Sequence, residues 1–339
     1  MRGRTLAAAA PQLVGPARAL STNLGAALAE ARLGRRRAAA HPGFDAELAG
    51  VEAGYAAAAD NHAALDAAGW PVAGYKVGAT SSAAQARMGM TRPFWGRLYA
   101  PATVRFDSAP ASGARPAAEP PHATSRSHPE PQPPHAGAAW HPTRSAVASR
   151  AEAQRFSISE SGIRGVEAEF AFVLRRDVAP RAGGRSYDAD ELLEEYVDCV
   201  MPSVEVCGTR APADAKASAG LLVADGAGNE RVLLGWDAAV APAKSVAAQL
   251  ASQPAEVLID GAVVASGLGR EVLGSPETSL AWFVNEVVQG GPRVTLRAHQ
   301  FVITGAICGL VPVTKACYVR LSFPQWRGGG WVADLAFRP

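Results

Sequence analysis

The stretch Gly165-Val166-Glu167-Ala168-Glu169-Phe170-Ala171-Phe172-Val173-Leu174 constrains this chain more than any other. Side chains on a β-strand alternate between two faces. As a strand it puts Val166, Ala168, Phe170, Phe172 and Leu174 on one apolar face and Glu167 and Glu169 together on the other. Two neighbouring carboxylates on an otherwise hydrophobic strand repel each other and resist burial. Something positive should sit between them, and a divalent cation bound through oxygen meets that need. A third carboxylate has a similar setting. In Met201-Pro202-Ser203-Val204-Glu205-Val206-Cys207, Val204 and Val206 face one way and Glu205 the other. The expectation is a metal site made by Glu167, Glu169 and Glu205. The competing reading is two exposed glutamates on a half-buried strand and an unrelated third, because short alternating strands are common.

The chain has 339 residues, of which 48% are hydrophobic and 19% charged, a balance that suits a compact soluble enzyme. With two biased segments set aside, roughly 240 to 260 residues remain, enough for one large domain or two closely packed lobes. The net charge of +2 gives no case for nucleic acid, and the arginines cluster near the N-terminus instead of striping a folded element. No run of about 18 apolar residues is present, so no membrane span is expected. Cys199, Cys207, Cys308 and Cys317 form no CxxC pair and lie in apolar surroundings. They read as reduced core thiols of an intracellular protein.

Residues 1–29 contain no acid, while Arg2, Arg4 and Arg18 are spread among Ala, Leu, Ser and Thr. Residues 1–21 therefore read either as an organellar transit peptide or as a plain disordered extension, which leaves cytoplasmic and mitochondrial locations both open. The helical portion begins at 22 and runs to Gly69, with Leu48, Val51, Tyr55 and Ala59 at helical spacing. Val72–Gly78 reads as a strand carrying Lys76, which either snorkels to the surface or points into a pocket as a cation placed for catalysis. First strands follow to 106. Residues 107–157 are an insertion whose body, 107–150, is dominated by Pro, Ala, Ser and His, and a segment of that composition is expected to be disordered. Its histidines (His122, His128, His135, His141) have irregular, proline-broken spacing that speaks against a zinc site.

Residues 158–339 form the expected catalytic portion. Asp188 or Asp190 is placed to cap a helix running to about Val200. Asp260-Gly261 between two β-branched runs signals a hairpin. Ser275-Pro276 starts a helix that stops at Gly290-Gly291, and Val294–Leu296, Gln300–Ile303, Cys317–Phe323 and Trp331–Phe337 read as strands. Gly267-x-Gly269 is too incomplete for a dinucleotide fingerprint.

Four pieces occur in one order: Gly74-Tyr75-Lys76-Val77-Gly78-Ala79-Thr80-Ser81, the Glu-x-Glu strand, the distant Glu205, and Phe301-Val302-Ile303-Thr304-Gly305-Ala306. Together they resemble the 2-keto-4-pentenoate hydratase branch of the fumarylacetoacetate hydrolase superfamily, over residues 44–106 and 158–338. The resemblance implies an α+β fold, a fumarylacetoacetase-like mixed β-roll or sandwich with a helical N-terminal portion. It implies Mg²⁺ or Mn²⁺ held by the residues matching Glu167, Glu169 and Glu205, with Lys76 matching the active-site lysine. Segments around Asp225 and around Thr304 and Gly305 match stretches that line the same pocket. One position departs: the family hydratases carry Pro-Asp-Phe-Gly where this chain has Pro93-Phe94-Trp95-Gly96, so Phe94 stands where an acid is usual.

The implied activity is a hydro-lyase that adds water to a 2-hydroxydienoic acid such as 2-hydroxypenta-2,4-dienoate through a stabilised enolate. The alternatives are a 2-oxo diacid decarboxylase or acylpyruvate hydrolase on the same scaffold, or a non-catalytic partner subunit. The partners expected are a small-molecule 2-oxo acid and further copies of the chain in a homo-oligomer.

Overall fold

The computed structural model describes residues 16–39, 44, 48, 50–107, 155–158, 162–236 and 240–339. The chain opens with helices α1 (Pro16–Leu33) and α2 (Val51–Ala67). Leu24, Leu28 and Ala31 of α1 share an apolar cluster with Ala57 of α2. α2 buries Gly54, Ala57, Asn61 and Leu65, not the expected stripe of Val51, Tyr55 and Ala59. Gly54 lets the Gly220 backbone come close, since a Cβ there would collide with the Gly220 carbonyl oxygen, and Asn61 donates to the Ala224 carbonyl. Tyr55 is instead half-buried and stacks on Trp95, with ring centroids 5.1 Å apart.

Two sheets follow. The first contains β1 (Val72–Gly78), β2 (Phe94–Tyr99), β3 (Thr103–Asp107), β5 (Ile163–Leu174), β6 (Val197–Gly208), β7 (Asn229–Trp236) and β11 (Phe301–Ile303). Its order is β2-β1-β11-β5-β6-β7-β3, with β8 (Ala241–Pro242) on β6 and β12 (Val311–Pro312) on β5. The second contains β4 (Arg155–Ser157), β9 (Pro254–Ile259), β10 (Ala262–Leu268), β13 (Cys317–Phe323) and β14 (Trp331–Arg338), in the order β10-β9-β13-β14-β4. The β9–β10 turn uses Asp260 and Gly261 at φ of 49° and 87°, as the sequence predicts for this pair.

The main core lies between the sheets. Phe170 meets Phe323 edge-on at 5.4 Å, and Trp331 sits between Phe106 at 5.9 Å and Phe323 at 5.6 Å. Side chains of this size each stabilise the fold by about 1.5–3 kcal/mol when fully buried. Helices α3 (Ser82–Arg87), α4 (Ala219–Ala224), α5 (Ala243–Leu250) and α6 (Pro276–Val284) pack around the sheets. The side chains of Ser81, Ser218 and Ser275 each accept a bond from a first-turn N–H of α3, α4 and α6 respectively.

Two boundaries differ from the sequence expectation. Asp188 caps its helix as expected, accepting from Glu191 N at 2.7 Å, but the helix ends at Tyr196 and Val197 already belongs to β6. The ladder of β5 explains this: Leu174 pairs with Val197 and Phe172 with Val200, so the β-branched valines extend a sheet in place of a helix. The expected insertion also ends earlier. Residues 155–157 form β4, parallel to Ala336–Arg338 of β14. Residues 108–154, with the four histidines, lie outside the described residues, as do residues 1–15. Among the described residues no helix is long and apolar enough to cross a membrane.

Candidate metal centre

The two faces of β5 differ as the alternation requires. Val166, Ala168, Phe170, Phe172 and Leu174 face the main core. The opposite face is split along its length. Ala171 and Val173 pack with Cys199, Met201, Phe301 and Ile303 in a second apolar cluster, whereas Glu167 and Glu169 occupy the other half. Pairing then places the third glutamate. Glu205 of β6 lies directly across from Glu167, and Ser203 across from Glu169. Lys76 arrives from β1, which is parallel to β11 and two places from β5 in the sheet.

Glu169, Glu205 and Lys76 are buried, and Glu167 retains some exposure. Lys76 Nζ stands 2.6 Å from Glu205 Oε2. The other oxygen, Glu205 Oε1, accepts from Asn229 Nδ2 at 3.0 Å. Glu169 Oε2 accepts from the Gly305 backbone N–H at 2.8 Å. Glu169 Oε1 and Ser203 Oγ are buried with no hydrogen-bond partner. Three carboxylates thus face one ammonium, and a buried carboxylate oxygen left without a donor is costly. A hard cation fits this donor set, which is mostly carboxylate oxygen.

The electrostatics follow from that imbalance. Burial, reinforced by Glu205, pushes the Glu167 carboxyl up to about 7, and Lys76 opposes the rise. Burial, then Glu205 and Glu167, hold Glu169 well above the usual carboxylate range. Burial works against the charge on Lys76, but Glu205 and Glu167 outweigh it and hold the lysine above its ordinary value. In this arrangement Lys76 donates to Glu205.

The neighbouring segments shape the walls. Gly305 has φ 110°, and a Cβ there would stand 2.5 Å from Thr80 Oγ1 and Cγ2. Only glycine can bring its N–H to Glu169 while leaving Thr80 in place. Thr304 turns its hydroxyl to the Phe170 carbonyl at 3.3 Å, so it fixes the strand instead of facing the glutamates. Phe94 belongs to β2, across from Gly78, and its ring fills the space a Gly78 side chain would take. Lys76 Nζ lies 6.0 Å from the centre of that ring. Phe94 shares its apolar cluster with Val51, Met88, Met90 and Ala219, which line a cavity of about 590 Å³ reaching Arg92 and Lys216. None of the three glutamates lines that cavity, and neither does Lys76 or Phe94.

Asp225, whose segment is expected to line the pocket, is buried with both carboxylate oxygens engaged. Its Oδ1 accepts from Arg210 Nε at 2.6 Å, and its Oδ2 from Arg210 N at 2.7 Å and Thr209 Oγ1 at 3.0 Å. Arg210 also reaches Glu230 at 2.7 Å. With both oxygens engaged, Asp225 fastens the chain after β6 to the turn before β7, and so braces Asn229 against Glu205. Arg32 of α1 adds to this by donating to the Asn229 carbonyl at 2.6 Å. Sequence reasoning missed Asn229, Thr80, Ser203 and Cys207. Ser203 and Cys207 were readable, since period two places them beside Glu205. Asn229 and Thr80 follow only from strand register.

No family model matches the chain. It is 25% identical over 270 residues to the TodF product hydratase of Pseudomonas putida, an alignment spanning 78% of this chain and 76% of that one. The similarity to a hydratase thus extends over most of the length of both chains. A second relative is the 4-oxalocrotonate decarboxylase of a Pseudomonas species, 32% identical over 150 residues, 44% of this chain and 52% of that one. The solved 4-oxalocrotonate decarboxylase of Pseudomonas putida G7, complexed with magnesium and adipate, superposes with a TM-score of 0.66 over 99% of both chains at 20% identity. The α+β fold expected of the superfamily is thus the fold observed.

Proposed function

We propose that this chain is an enzyme that uses a divalent cation to act on a 2-oxo acid or its 2-hydroxydienoic form. The reaction we assign is addition of water to a substrate such as 2-hydroxypenta-2,4-dienoate. One observation carries the reading: Glu167, Glu169 and Glu205 share a sheet face with a single lysine, and one Glu169 oxygen has no partner. The relationship to a hydratase supports the reaction class.

Glu167, Glu169 and Glu205 would hold Mg²⁺ or Mn²⁺. When bound, such a cation supplies a Lewis acid for negative charge on the keto oxygen of the substrate. Lys76 keeps its proton beside these carboxylates and is placed to donate to an oxygen that gains charge during enolisation. Phe94 covers the ammonium with a ring and keeps that side apolar, which strengthens each charge interaction beneath it. Tautomerisation then conjugates a C=C bond to the carbonyl, and its far end accepts water. Proton transfer by a placed side chain contributes about 10²–10⁴-fold to such steps.

Decarboxylation of a 2-oxo diacid is the second reading. The 32% identity to a 4-oxalocrotonate decarboxylase favours it, as does Phe94, which puts an aromatic ring where the family hydratases carry an acid. Both are tested in one experiment. The chain with Mg²⁺ is given 2-hydroxypenta-2,4-dienoate and, separately, 4-oxalocrotonate, and loss of dienol absorbance and release of CO₂ are followed. Lys76→Met should reduce turnover roughly a hundredfold while cation binding persists. Glu169→Gln should lose cation binding and turnover together, and a Glu169→Gln protein with normal turnover overturns the assignment.

A further inference from the structure

Cys207 stands in the centre and is not used by the chemistry above. It shares a β6 face with Ser203 and Glu205, and its cross-strand neighbour on β5 is Gly165, which has no side chain. The thiol therefore meets no group directly opposite and lies toward Glu167. Oxygens of Glu167 and Glu205 and Cys207 Sγ all fall within 4.8 Å of one another, and Glu169 is outside that group. Cys207 is buried. Beside it, Glu169 Oε1 and Ser203 Oγ are buried polar atoms without partners on the same face. The other cysteines do not belong to this cluster: Cys199 packs in the apolar half of the sheet, and Cys308 and Cys317 touch the main core.

We propose that Glu167, Glu205 and Cys207 form a mixed oxygen and sulfur site that binds thiophilic divalent cations, Zn²⁺, Cd²⁺ and Co²⁺, through the Cys207 sulfur. The inference rests on the reading of this face as a metal centre and deepens it. Tetrahedral coordination at about 2.3 Å to sulfur and about 2.0–2.2 Å to oxygen needs ligand atoms roughly 3.5 Å apart. The three ligand atoms already lie within 4.8 Å of one another, and binding would draw them together through the glutamate side chains. On binding, the thiol proton leaves to solvent and the sulfur lone pair forms the metal bond, so no redox partner is needed. Oxygen ligands select Mg²⁺ and Mn²⁺, and a thiolate selects the softer ions. The centre thus has two overlapping preferences, a hard one that includes Glu169 and a soft one that includes Cys207, and Zn²⁺ or Cd²⁺ captures it from Mg²⁺.

The test uses the full chain loaded with Co²⁺ and read by absorbance, beside calorimetric titration with Zn²⁺ and Mg²⁺. The wild-type protein should show a near-ultraviolet sulfur-to-cobalt charge-transfer band. Cys207→Val and Cys207→Ala should lose the band and weaken Zn²⁺ roughly tenfold or more, a much larger loss than for Mg²⁺. ¹¹³Cd resonance of the wild-type protein, which needs no variant, should report one sulfur ligand. Bound Co²⁺ without the band, or a band that survives in both variants, overturns the inference and leaves the metal centre standing. Failure to bind Co²⁺, Mg²⁺ or Mn²⁺ at all overturns the centre itself.

Discussion

Glu169→Gln should stabilise the cation-free protein at neutral pH and at the same time remove its response to Mg²⁺. Burial, then Glu205 and Glu167, raise the Glu169 carboxyl well above its ordinary 4.5. The folded chain therefore holds a proton that the unfolded chain has released, and cation-free stability falls as pH rises above about 4.5. At pH 7 keeping Glu169 neutral therefore costs stability that is not lost at pH 4.5. Glutamine is neutral throughout and still accepts from the Gly305 N–H. The variant should then melt at a higher Tm than the wild type at pH 7, and at nearly the same Tm at pH 4.5. Wild-type protein in Mg²⁺ at a hundred times its Kd should gain about 2.7 kcal/mol, and the variant nothing. Thermal melts at several pH values, with EDTA and with Mg²⁺, read all of this. A variant no more stable than wild type at pH 7, or one whose Tm rises with Mg²⁺ as the wild type's does, refutes the reasoning.

Apparent Mg²⁺ affinity should fall as pH drops through about 7, because the raised Glu167 carboxyl must lose its proton to bind; calorimetry across pH 5.5–8 follows it. Gly305→Ala forces an alanine to φ 110° against Thr80 and should cost roughly 1–3 kcal/mol, read by urea unfolding. Arg210→Ala leaves the buried Asp225 and the neighbouring Glu230 without their cation and should cost roughly 3–5 kcal/mol, with weaker cation binding as Asn229 loosens.

What could be read from the sequence was whatever depends on a short period. The two faces of β5, the side of its own strand that Glu205 takes, the Asp260-Gly261 turn and the Ser275 cap are each fixed within a few residues, and the structure has them. What depends on register across the sheet was not readable. Glu205 is opposite Glu167 because β5 and β6 pair over twelve-residue strands, and Lys76 reaches Glu205 because β1 runs parallel to β11. The fate of Asp225 shows the limit: its segment matched a pocket-lining stretch, but a neighbouring arginine that no local pattern flags takes up its carboxylate. The helix expected to reach Val200 failed for the same reason, since a partner strand outweighed local propensity.

β3 ends at Asp107 and β4 begins at Arg155, and each of those strands is the outermost member of its own sheet. The two ends of the intervening sequence insertion thus lie on sheet rims, with β7 between β3 and the β6 strand that carries Glu205. A reporter domain inserted there, or the stretch exchanged for a short linker, should alter the size of the protein and leave its chemistry as it was.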